Sequence, residues 1–291
     1  MAVRWSRVAP QAALIPALAV TLTAFVGAVV WSVYLSFTVS RRFPDYAIAG
    51  LKQYDRLFND AAWVVSLKNM VILGVGSLLS IVFGFLLAAL IDREIAGKAV
   101  FRTVFLYPLA VSLIVTGIVW RWLFNPTLGV ENFLHSIGLT GASFNWLASS
   151  ETVMYGIILG TVWQSTGFYM ALMLAGLRSI NIEIWQAARV DGVPFWRLYF
   201  EVVIPMMKFT FLTCLILLCI GVVKAYDIIV AMTNAGPGDA SYLPGYFVIN
   251  AYWQKSNLGY AAAAATVMLL MTFALFFPLA LFSTWRQRAA G

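Results

Sequence analysis

Long apolar runs alternate with short polar connections along most of this chain. Six of the runs are long enough to cross about 30 Å of hydrocarbon as helices of about 20 residues. The predicted spans cover residues 12–38, 64–91, 104–124, 152–176, 206–229 and 260–284. The pattern predicts an all-α membrane protein, with a cytoplasmic N-terminus (1–11) and one six-helix transmembrane domain (12–291).

Composition agrees with this pattern. Of 291 residues, 62% are hydrophobic and 11% are charged, and the mean hydropathy is +0.86. A soluble domain carries about 25% charged residues. Because the spans use so much of the chain, no separate soluble catalytic domain is expected. Any energy source or receptor must then be another chain.

Basic residues flank the spans and indicate the orientation. With the N-terminus in the cytoplasm, 11 Lys and Arg residues fall on the inner side and 7 on the outer side. The positive-inside rule expects this direction. The prediction is a multi-pass protein of the cell membrane with both termini cytoplasmic. The net charge of +7 is dispersed among the spans, so no nucleic-acid partner is expected.

Residues that usually bind metals or carry catalysis are few. Cys214 and Cys219 lie in one apolar run at a spacing that points them to different helix faces, so neither a disulfide framework nor a zinc site is expected. His135 is the single histidine and lies in a polar connection. An intramembrane enzyme, which is one alternative, would need a buried nucleophile with a base. Asp227 is the only acid well inside a span, so no catalytic residue and no metal site are predicted.

Two small-residue patterns predict helix contacts. Gly156 and Gly160 are four residues apart, a spacing that lets two helix backbones approach closely. The run from Ala261 to Ala265 offers a similar smooth surface in the last span. Both patterns indicate a packed bundle and say little about function.

The cytoplasmic connection between the fourth and fifth spans, residues 177–205, has the pattern of two short helices. Asn181 can cap the first helix, and Glu183 then lies in its first turn. Gly192 can adopt the left-handed conformation that ends this helix, and Pro194 suits the first turn of the next. The segment is therefore predicted to be helix, tight turn, helix at the membrane surface.

Two interpretations of this segment remain open. It can rest on lipid headgroups as an amphipathic helix, or it can dock onto a partner. For docking, Ala187 and Ala188 remove side-chain bulk, and Arg189 and Asp191 offer charged contacts. The aromatic residues available to anchor or dock are Trp185, Phe195 and Trp196.

The same segment carries a family resemblance. Its residues Gln186-Ala187-Ala188-Arg-Val-Asp191-Gly192, followed by Ile204-Pro205, resemble the cytoplasmic signature of ABC-importer permeases, usually written EAA, three residues, Gly, and later Ile-x-Leu-Pro. Gln186 stands in place of the usual Glu, and Ile204 in place of the usual Leu. The ATPase-coupling residues that the resemblance implies are Glu183, Gln186, Ala187, Ala188, Arg189, Asp191, Gly192 and Pro205.

Two later patterns resemble the carbohydrate-uptake branch of this family, of the maltose and glucose/mannose type. The stretch from Ala231 to Pro237 is similar to its Thr-x-Gly-Gly-Pro outer loop, with Ala235 in place of one glycine. The stretch from Leu258 to Ala262 resembles its Gly-Tyr-Ala-Ala start of the last helix. The loop residues implied to face a binding protein are Thr233, Asn234, Gly236 and Pro237.

The resemblance implies the compact six-helix form of the type I ABC importer permease fold, in the inner membrane. The implied partners are a second homologous permease subunit, two ATP-hydrolysing subunits and an extracytoplasmic sugar-binding protein. No cofactor is implied. The chain has no Gly-x-x-x-x-Gly-Lys-[Ser/Thr] loop, so ATP must be hydrolysed elsewhere. The implied mechanism is alternating access driven by the ATPase subunits.

A sugar pathway is expected from polar and aromatic residues in the fourth and fifth spans. Amides and hydroxyls can match sugar hydroxyls there, although many such residues only join helices. Lys224 and Asp227 are three apart and can pair on one helix face, or Lys224 can reach water at the end of its span; both alternatives stay open. The candidate pathway residues are Trp163, Gln164, Ser165, Phe168, Tyr169, Lys224, Tyr226 and Asp227.

The resemblance also narrows the expected substrate. It places Gln164, Ser165 and Phe168 at positions that contact substrate in the family. The fifth-span positions are apolar or small where maltose-type permeases have polar groups, namely Leu218, Gly221, Val222 and Ala225. A neutral monosaccharide or small oligosaccharide is therefore expected. A polyol or glycerol phosphate is the alternative, but a phosphorylated ligand would favour a buried Arg, and the spans show none.

Overall fold

The computed structural model describes residues 14–93, 97–139, 141 and 143–289, with side chains described as far as residue 274. The predicted cytoplasmic N-terminus, residues 1–11, lies outside the described residues. Within them, one isolated β-bridge joins Thr38 and Ile48, and the regular elements are helices. The helices are α1 (Leu14–Leu35), α2 (Lys52–Phe58), α3 (Ala61–Asp92), α4 (Lys98–Ala110), α5 (Leu113–Leu123), α6 (Val130–Ser136), α7 (Val153–Arg178), α8 (Ile182–Val190), α9 (Phe195–Met206), α10 (Lys208–Val223), α11 (Asp227–Met232), α12 (Pro244–Trp253) and α13 (Leu258–Ala289).

The chain divides into two compact units. The first unit combines Met1–Asp60 with Phe247–Gly291, and the second comprises Ala61–Tyr246. Helices α1, α2 and α13 therefore belong to the first unit, whereas α3 to α11 belong to the second.

The all-helical fold is confirmed, but two predicted spans are not straight. Three helices, α1, α3 and α7, are long and apolar enough to cross a membrane alone. Two more spans are bent pairs: α4 and α5 meet at 99°, and α9 and α10 meet at 68°. In α13 the apolar stretch of described side chains is Leu258–Ala274. The prediction of one continuous helix over 104–124 is therefore wrong; the predicted span 206–229 begins at the second bend and contains α10, with residues 224–226 separating it from α11.

Local chemistry explains the break between α4 and α5. Pro108 lies in the last turn of α4, where its missing N–H weakens the helix. Val111 is extended, with φ −86° and ψ 137°. Ser112 then caps α5, since its side-chain oxygen accepts a hydrogen bond from the Val115 backbone N–H at 3.3 Å. The chain thus ends one helix and starts another at a sharp angle.

Glycines in the second unit allow helices to cross closely, but they are not the predicted pair. A Cβ added at Gly84 would lie 2.8 Å from the Met170 backbone nitrogen, so α3 crosses α7 at backbone distance. At Gly167 an added Cβ would overlap the Phe105 carbonyl oxygen of α4. Gly156 and Gly160 instead make room for side chains, those of Leu147 and Trp120. The predicted backbone contact at Gly156 and Gly160 is therefore wrong.

In the first unit, the small residues at the start of α13 do form a packing surface. Ala261, Ala262, Ala263 and Ala264 are all buried, and α13 packs against α1 and α2. A Cβ at Gly259 would lie 2.7 Å from the Thr38 carbonyl oxygen. The predicted smooth surface is thus confirmed, and Gly259 is required by a close backbone approach.

Candidate functional site

Helix α8 is defined at both ends by the capping residues that the sequence indicated. The Asn181 side-chain oxygen accepts a hydrogen bond from the Glu183 N–H at 3.2 Å. After α8, Gly192 has φ +63°, the left-handed conformation. The Gly192 N–H donates to the Arg189 carbonyl at 3.3 Å, and the Val193 N–H donates to the Ala188 carbonyl at 3.0 Å. This pair of bonds is a Schellman motif, so local sequence alone is sufficient to end the helix here.

One face of α8 and its following turn is open to solvent. Val190 is 87% exposed, although it is apolar. The side chains of the predicted coupling residues are exposed as well, except for Ala188, which is half-buried. The exposed members are Glu183, Gln186, Ala187, Arg189, Asp191 and Gly192. An exposed surface that combines small and apolar residues with charges of both signs suits a protein partner.

Aromatic residues pack the opposite face of α8 against α9 and the end of α3, within the second unit. The Tyr199 ring of α9 lies 4.3 Å from Phe195 and 6.0 Å from Trp185, measured between ring centroids. The Arg93 guanidinium lies 4.1 Å above the Phe195 ring, a cation–π contact at the end of α3. Trp196, in contrast, is 71% exposed. Trp185 and Phe195 are therefore anchors within the chain, and Trp196 remains available to a partner or to lipid.

Helix α9 continues directly towards α10. Its middle, Leu198–Val203, is wound as a π-helix, and Pro205 lies close to its C-terminal end. Pro205 cannot donate a backbone hydrogen bond, and such residues kink helices. The chain bends by 68° between α9 and α10. Pro205 thus lies at the joint between the segment of α8 and α9 and the fifth span.

A cavity of about 570 Å³ lies among α3, α7 and the end of α10. Its wall combines apolar side chains with hydroxyls, one amide and two charges, as expected for a site that binds a polar organic ligand. The predicted pathway residues that line it are Gln164, Ser165, Phe168, Tyr169, Lys224, Tyr226 and Asp227. The structure therefore brings together predicted residues from two spans.

Trp163 does not join this cavity. It faces a second, largely apolar cavity of about 710 Å³, on the other side of α7. There its ring meets Trp120 edge-on, with centroids 6.1 Å apart. On α7, Trp163 shares the second cavity with Val162 and Thr166, whereas Gln164 and Ser165 line the first. The expectation that Trp163 lies with the others is wrong.

Gln164 connects the cavity to the break in the third span. Its side-chain nitrogen donates a hydrogen bond to the Val111 carbonyl at 2.9 Å, which satisfies a backbone group freed by the break. Its amide is 92% buried, and the side-chain oxygen has no hydrogen-bond partner among the described residues. A buried acceptor of this kind favours a ligand hydroxyl or a water molecule.

Lys224 and Asp227 line the cavity but do not form the ion pair considered above. No bridge between them falls within 4.0 Å in the described part of the chain. Helix α10 ends at Val223 and α11 begins at Asp227, so the two residues do not share a helix face. Both side chains are exposed at the cavity wall. The alternative, in which Lys224 reaches water, agrees with this geometry.

Three polar cavity residues, Ser77, Ser80 and Thr161, were missed by sequence reasoning. Ser77 and Ser80 of α3 line the cavity, and the hydroxyl of Ser77 is buried without a hydrogen-bond partner among the described residues. Ser80 donates to the Ser77 carbonyl at 2.5 Å. Serines in a long apolar run usually join helices, so their spacing alone carries no signal for a ligand site. The sequence does not show that the two serine hydroxyls face the polar residues of the fourth span, so it could not have identified them.

The loop from Thr233 to Pro237 is tightly ordered by its own hydrogen bonds. The hydroxyls of Thr233 and Ser241 lie 2.8 Å apart, and Ser241 also donates to the Gly236 carbonyl at 2.8 Å. The peptide bond between Gly236 and Pro237 is cis. Asn234 and Ala235 both have positive φ, 50° and 67°. The motif residues thus shape one another, and Asn234 remains exposed.

The geometry is that of a helical membrane protein in which an exposed short helix is linked to a polar cavity. The fold is similar to that of a bacterial ABC transporter involved in the import of the acidic polysaccharide alginate. The TM-score is 0.82 at 19% identity, over 98% of this chain and 97% of that one.

Residues 80–288 match the family described as binding-protein-dependent transport system inner membrane component. The chain is 36% identical to a probable ABC transporter permease protein of Pyrococcus horikoshii, over 91% of this chain and 92% of the relative. It is 30% identical to a xylose/arabinose import permease protein of Haloferax volcanii, over 81% and 74% respectively. The chain therefore belongs to the family of inner membrane components of binding-protein-dependent transport systems. It is a transport component with several membrane-crossing helices.

Proposed function

We propose that this chain is the permease subunit of an ATP-binding-cassette importer that takes up a neutral mono- or small oligosaccharide. A binding protein outside the membrane delivers the sugar, and a second permease subunit completes the pathway. Two separate ATPase subunits supply the energy, and the chain itself hydrolyses no ATP. The family description and the xylose/arabinose permease relative support this assignment.

One observation carries the proposal. The exposed face of α8 and the polar cavity lie in the same compact unit, and the short turn 191–194 followed by α9 and α10 connects them. A partner that moves α8 therefore also moves a wall of the cavity. Alternating access requires a mechanical connection of this kind, because the partner acts only through contacts that differ between the two states.

The cavity favours a neutral ligand over a phosphorylated one. Among the described residues Lys224 is the only cation in its wall, and Asp227 lies in the same wall. The remaining polar groups are hydroxyls and the Gln164 amide, which suit sugar hydroxyls. Phe168 and Tyr226 offer aromatic faces for the C–H surfaces of a sugar. Paired N–H recognition of a phosphate uses Arg, and the cavity wall contains none among the described residues.

The proposed orientation has both termini in the cytoplasm, supported by the distribution of basic residues. Helix α8 then faces the ATPase subunits, and the loop from Thr233 to Pro237 faces the binding protein. Cysteine substitution at Val190 and at Asn234, followed by labelling with a membrane-impermeant thiol reagent, tests this orientation. Labelling from the outside is expected for position 234 and not for position 190, and the reverse result overturns it.

The coupling role is tested with Ala187→Arg, which places a long charged side chain on the exposed face of α8. The complex is reconstituted with its ATPase subunits and binding protein, and ATP-driven uptake of radiolabelled xylose, arabinose and maltose is measured. A disruptive substitution at the centre of an interface costs about 2 kcal/mol or more of binding free energy. The affinity of the permease for its ATPase subunits is therefore expected to fall about thirtyfold.

The matched control is Ala99→Arg, which makes the same change at an exposed alanine in the first turn of α4. Its ATPase association and uptake are expected to stay at the wild-type level. Equal uptake by the two variants would show that α8 does not couple ATP hydrolysis to transport. Uptake of none of the sugars by the intact complex would instead refute the substrate class.

A further inference from the structure

The loop that follows α1 carries a projecting turn of fixed shape, which the proposed transport function does not use. Its base is closed by two backbone hydrogen bonds, from Val39 N–H to Ala47 at 3.0 Å and from Ala49 N–H to Phe37 at 2.7 Å. Ser40 holds the turn from inside, since its hydroxyl donates to the Asp45 carbonyl at 2.8 Å and accepts from the Asp45 N–H at 3.0 Å. Residues 41–46 form the tip of this turn.

The tip presents two cations beside two aromatic rings. Phe43 is 75% exposed and Tyr46 is 58% exposed. Arg41 and Arg42 are exposed as well, and no carboxylate of the described residues lies within 4.0 Å of either guanidinium. Asp45 is the acid of the tip, and its carboxylate accepts from the Ala47 N–H at 3.0 Å. Arg41, Arg42 and Asp45 line an open cleft of about 810 Å³ with the two aromatic residues.

Several contacts place the tip at the level where membrane spans end. The described part of α1 is an apolar helix of 22 residues, about 33 Å long, which is enough to cross the hydrocarbon and end at Leu35. Tyr34 lies in the last turn of α1, and its ring is 6.0 Å from that of Tyr46. The Leu258 N–H at the start of α13 donates to the Arg41 carbonyl at 2.8 Å. The tip thus lies beside the ends of two apolar helices.

Arginine and aromatic side chains at the end of a membrane span match the chemistry of a lipid headgroup. Aromatic residues concentrate at the boundary between hydrocarbon and water. Arginine binds phosphate through two parallel N–H donors. We propose that the tip is a binding site for an anionic phospholipid, with Arg41 and Arg42 on the headgroup phosphate and with Phe43 and Tyr46 in the interfacial layer. The proposal requires membrane insertion and is independent of the transported sugar.

The occupant of the tip is identified by cross-linking. A photoreactive benzophenone amino acid replaces Phe43 in the assembled transporter, which is reconstituted in vesicles of phosphatidylcholine and phosphatidylglycerol. After irradiation, mass spectrometry of the permease is expected to show an added phospholipid mass. Cross-linking to the binding protein or to the second permease subunit, without lipid, would show that the tip is a protein contact and would overturn the proposal.

Headgroup selectivity is tested with the double variant Arg41→Gln and Arg42→Gln. Each basic residue near an anionic surface contributes a factor of about five, so phosphatidylglycerol binding in native mass spectrometry is expected to weaken about thirtyfold. Binding of phosphatidylcholine should change little. The matched control is Lys52→Gln, which removes an exposed charge from α2 in the same unit. Equal phosphatidylglycerol binding by the double variant and the control would overturn the proposal.

A third variant separates loss of binding from loss of folding. Arg41→Lys with Arg42→Lys keeps both charges but removes the paired N–H donors. It is expected to bind phosphatidylglycerol with an affinity between those of the wild type and the double glutamine variant. If the glutamine variant melts at the wild-type temperature and still binds wild-type amounts of phosphatidylglycerol, the two arginines do not form the site.

Discussion

Helix α8 and the polar cavity belong to the same compact unit, yet they arise in different ways. The ends of α8 are set by neighbours in sequence, the Asn181 cap and the Gly192 turn, and its outer face touches little else in this chain. The cavity exists because α3, α7 and α10 cross at particular distances. A helix whose ends are fixed by local hydrogen bonds can keep its shape when it binds a partner. A cavity formed between crossing helices changes shape when any one of those helices moves.

The crossing of α7 with α4 is the point most sensitive to added volume. A Cβ in Gly167→Ala would overlap the Phe105 carbonyl oxygen, and backbone cannot move aside as a side chain can. We expect the free energy of unfolding to fall by about 3 kcal/mol, measured by denaturation in detergent micelles. Gly221→Ala is the control, because it also lies at the cavity but has no heavy atom within 4 Å. Similar losses in both variants would contradict close packing at Gly167.

The turn after α8 is sensitive to backbone conformation rather than to volume. Gly192 has φ +63°, and a Cβ there would meet no atom within 4 Å. Gly192→Val should cost about 1.5 kcal/mol, because a β-branched residue disfavours this conformation. Hydrogen exchange of the Val193 amide, which bonds to Ala188, should be faster. Gly192→Asn should cost much less, since Asn tolerates positive φ, and equal costs would refute backbone strain as the cause.

Two neighbouring hydroxyls on α7 separate the polar cavity from the apolar one. Ser165 lines the polar cavity and Thr166 the apolar one, and each donates to the carbonyl four residues earlier at 2.6 Å. Ser165→Ala should raise the KM of uptake about fivefold, because losing one hydrogen bond to the substrate costs about 1 kcal/mol of binding free energy. Thr166→Val should leave KM unchanged. A larger effect at Thr166 would mean that the apolar cavity lies on the pathway.

The loop from Thr233 to Pro237 offers a substitution that should raise the free energy of unfolding rather than lower it. Ala235 is 1% exposed and has φ +67°, a conformation that favours glycine. Ala235→Gly should raise the free energy of unfolding by about 0.5 kcal/mol, because the gain at positive φ is partly offset by the greater freedom of glycine when unfolded. Asn234→Gly is the control: Asn already tolerates positive φ, so no gain is expected. A loss of stability at Ala235 would show that its methyl packing outweighs the strain.

The accuracy of sequence reasoning followed the range of the interactions involved. Asn181 and Gly192 could be assigned because a cap or a turn leaves a signal in a few consecutive residues. Trp163 was placed with the wrong neighbours, because helix periodicity says which residues share a face but not which face borders a cavity. The pairing of Lys224 with Asp227 failed for a related reason: it assumed that the helix continues through both residues.

The sequence by itself determined the helical membrane fold, the capped α8 and the family, since apolar length, capping residues and motif order are properties of the chain alone. Only the tertiary structure decided that Ser77 faces Gln164 across one cavity, that Gly84 and Gly167 rather than Gly156 are the close crossings, and that the third and fifth spans bend. These features depend on which helices meet and how closely. Such distances are set by the packing of residues far apart in sequence, and no local pattern encodes them.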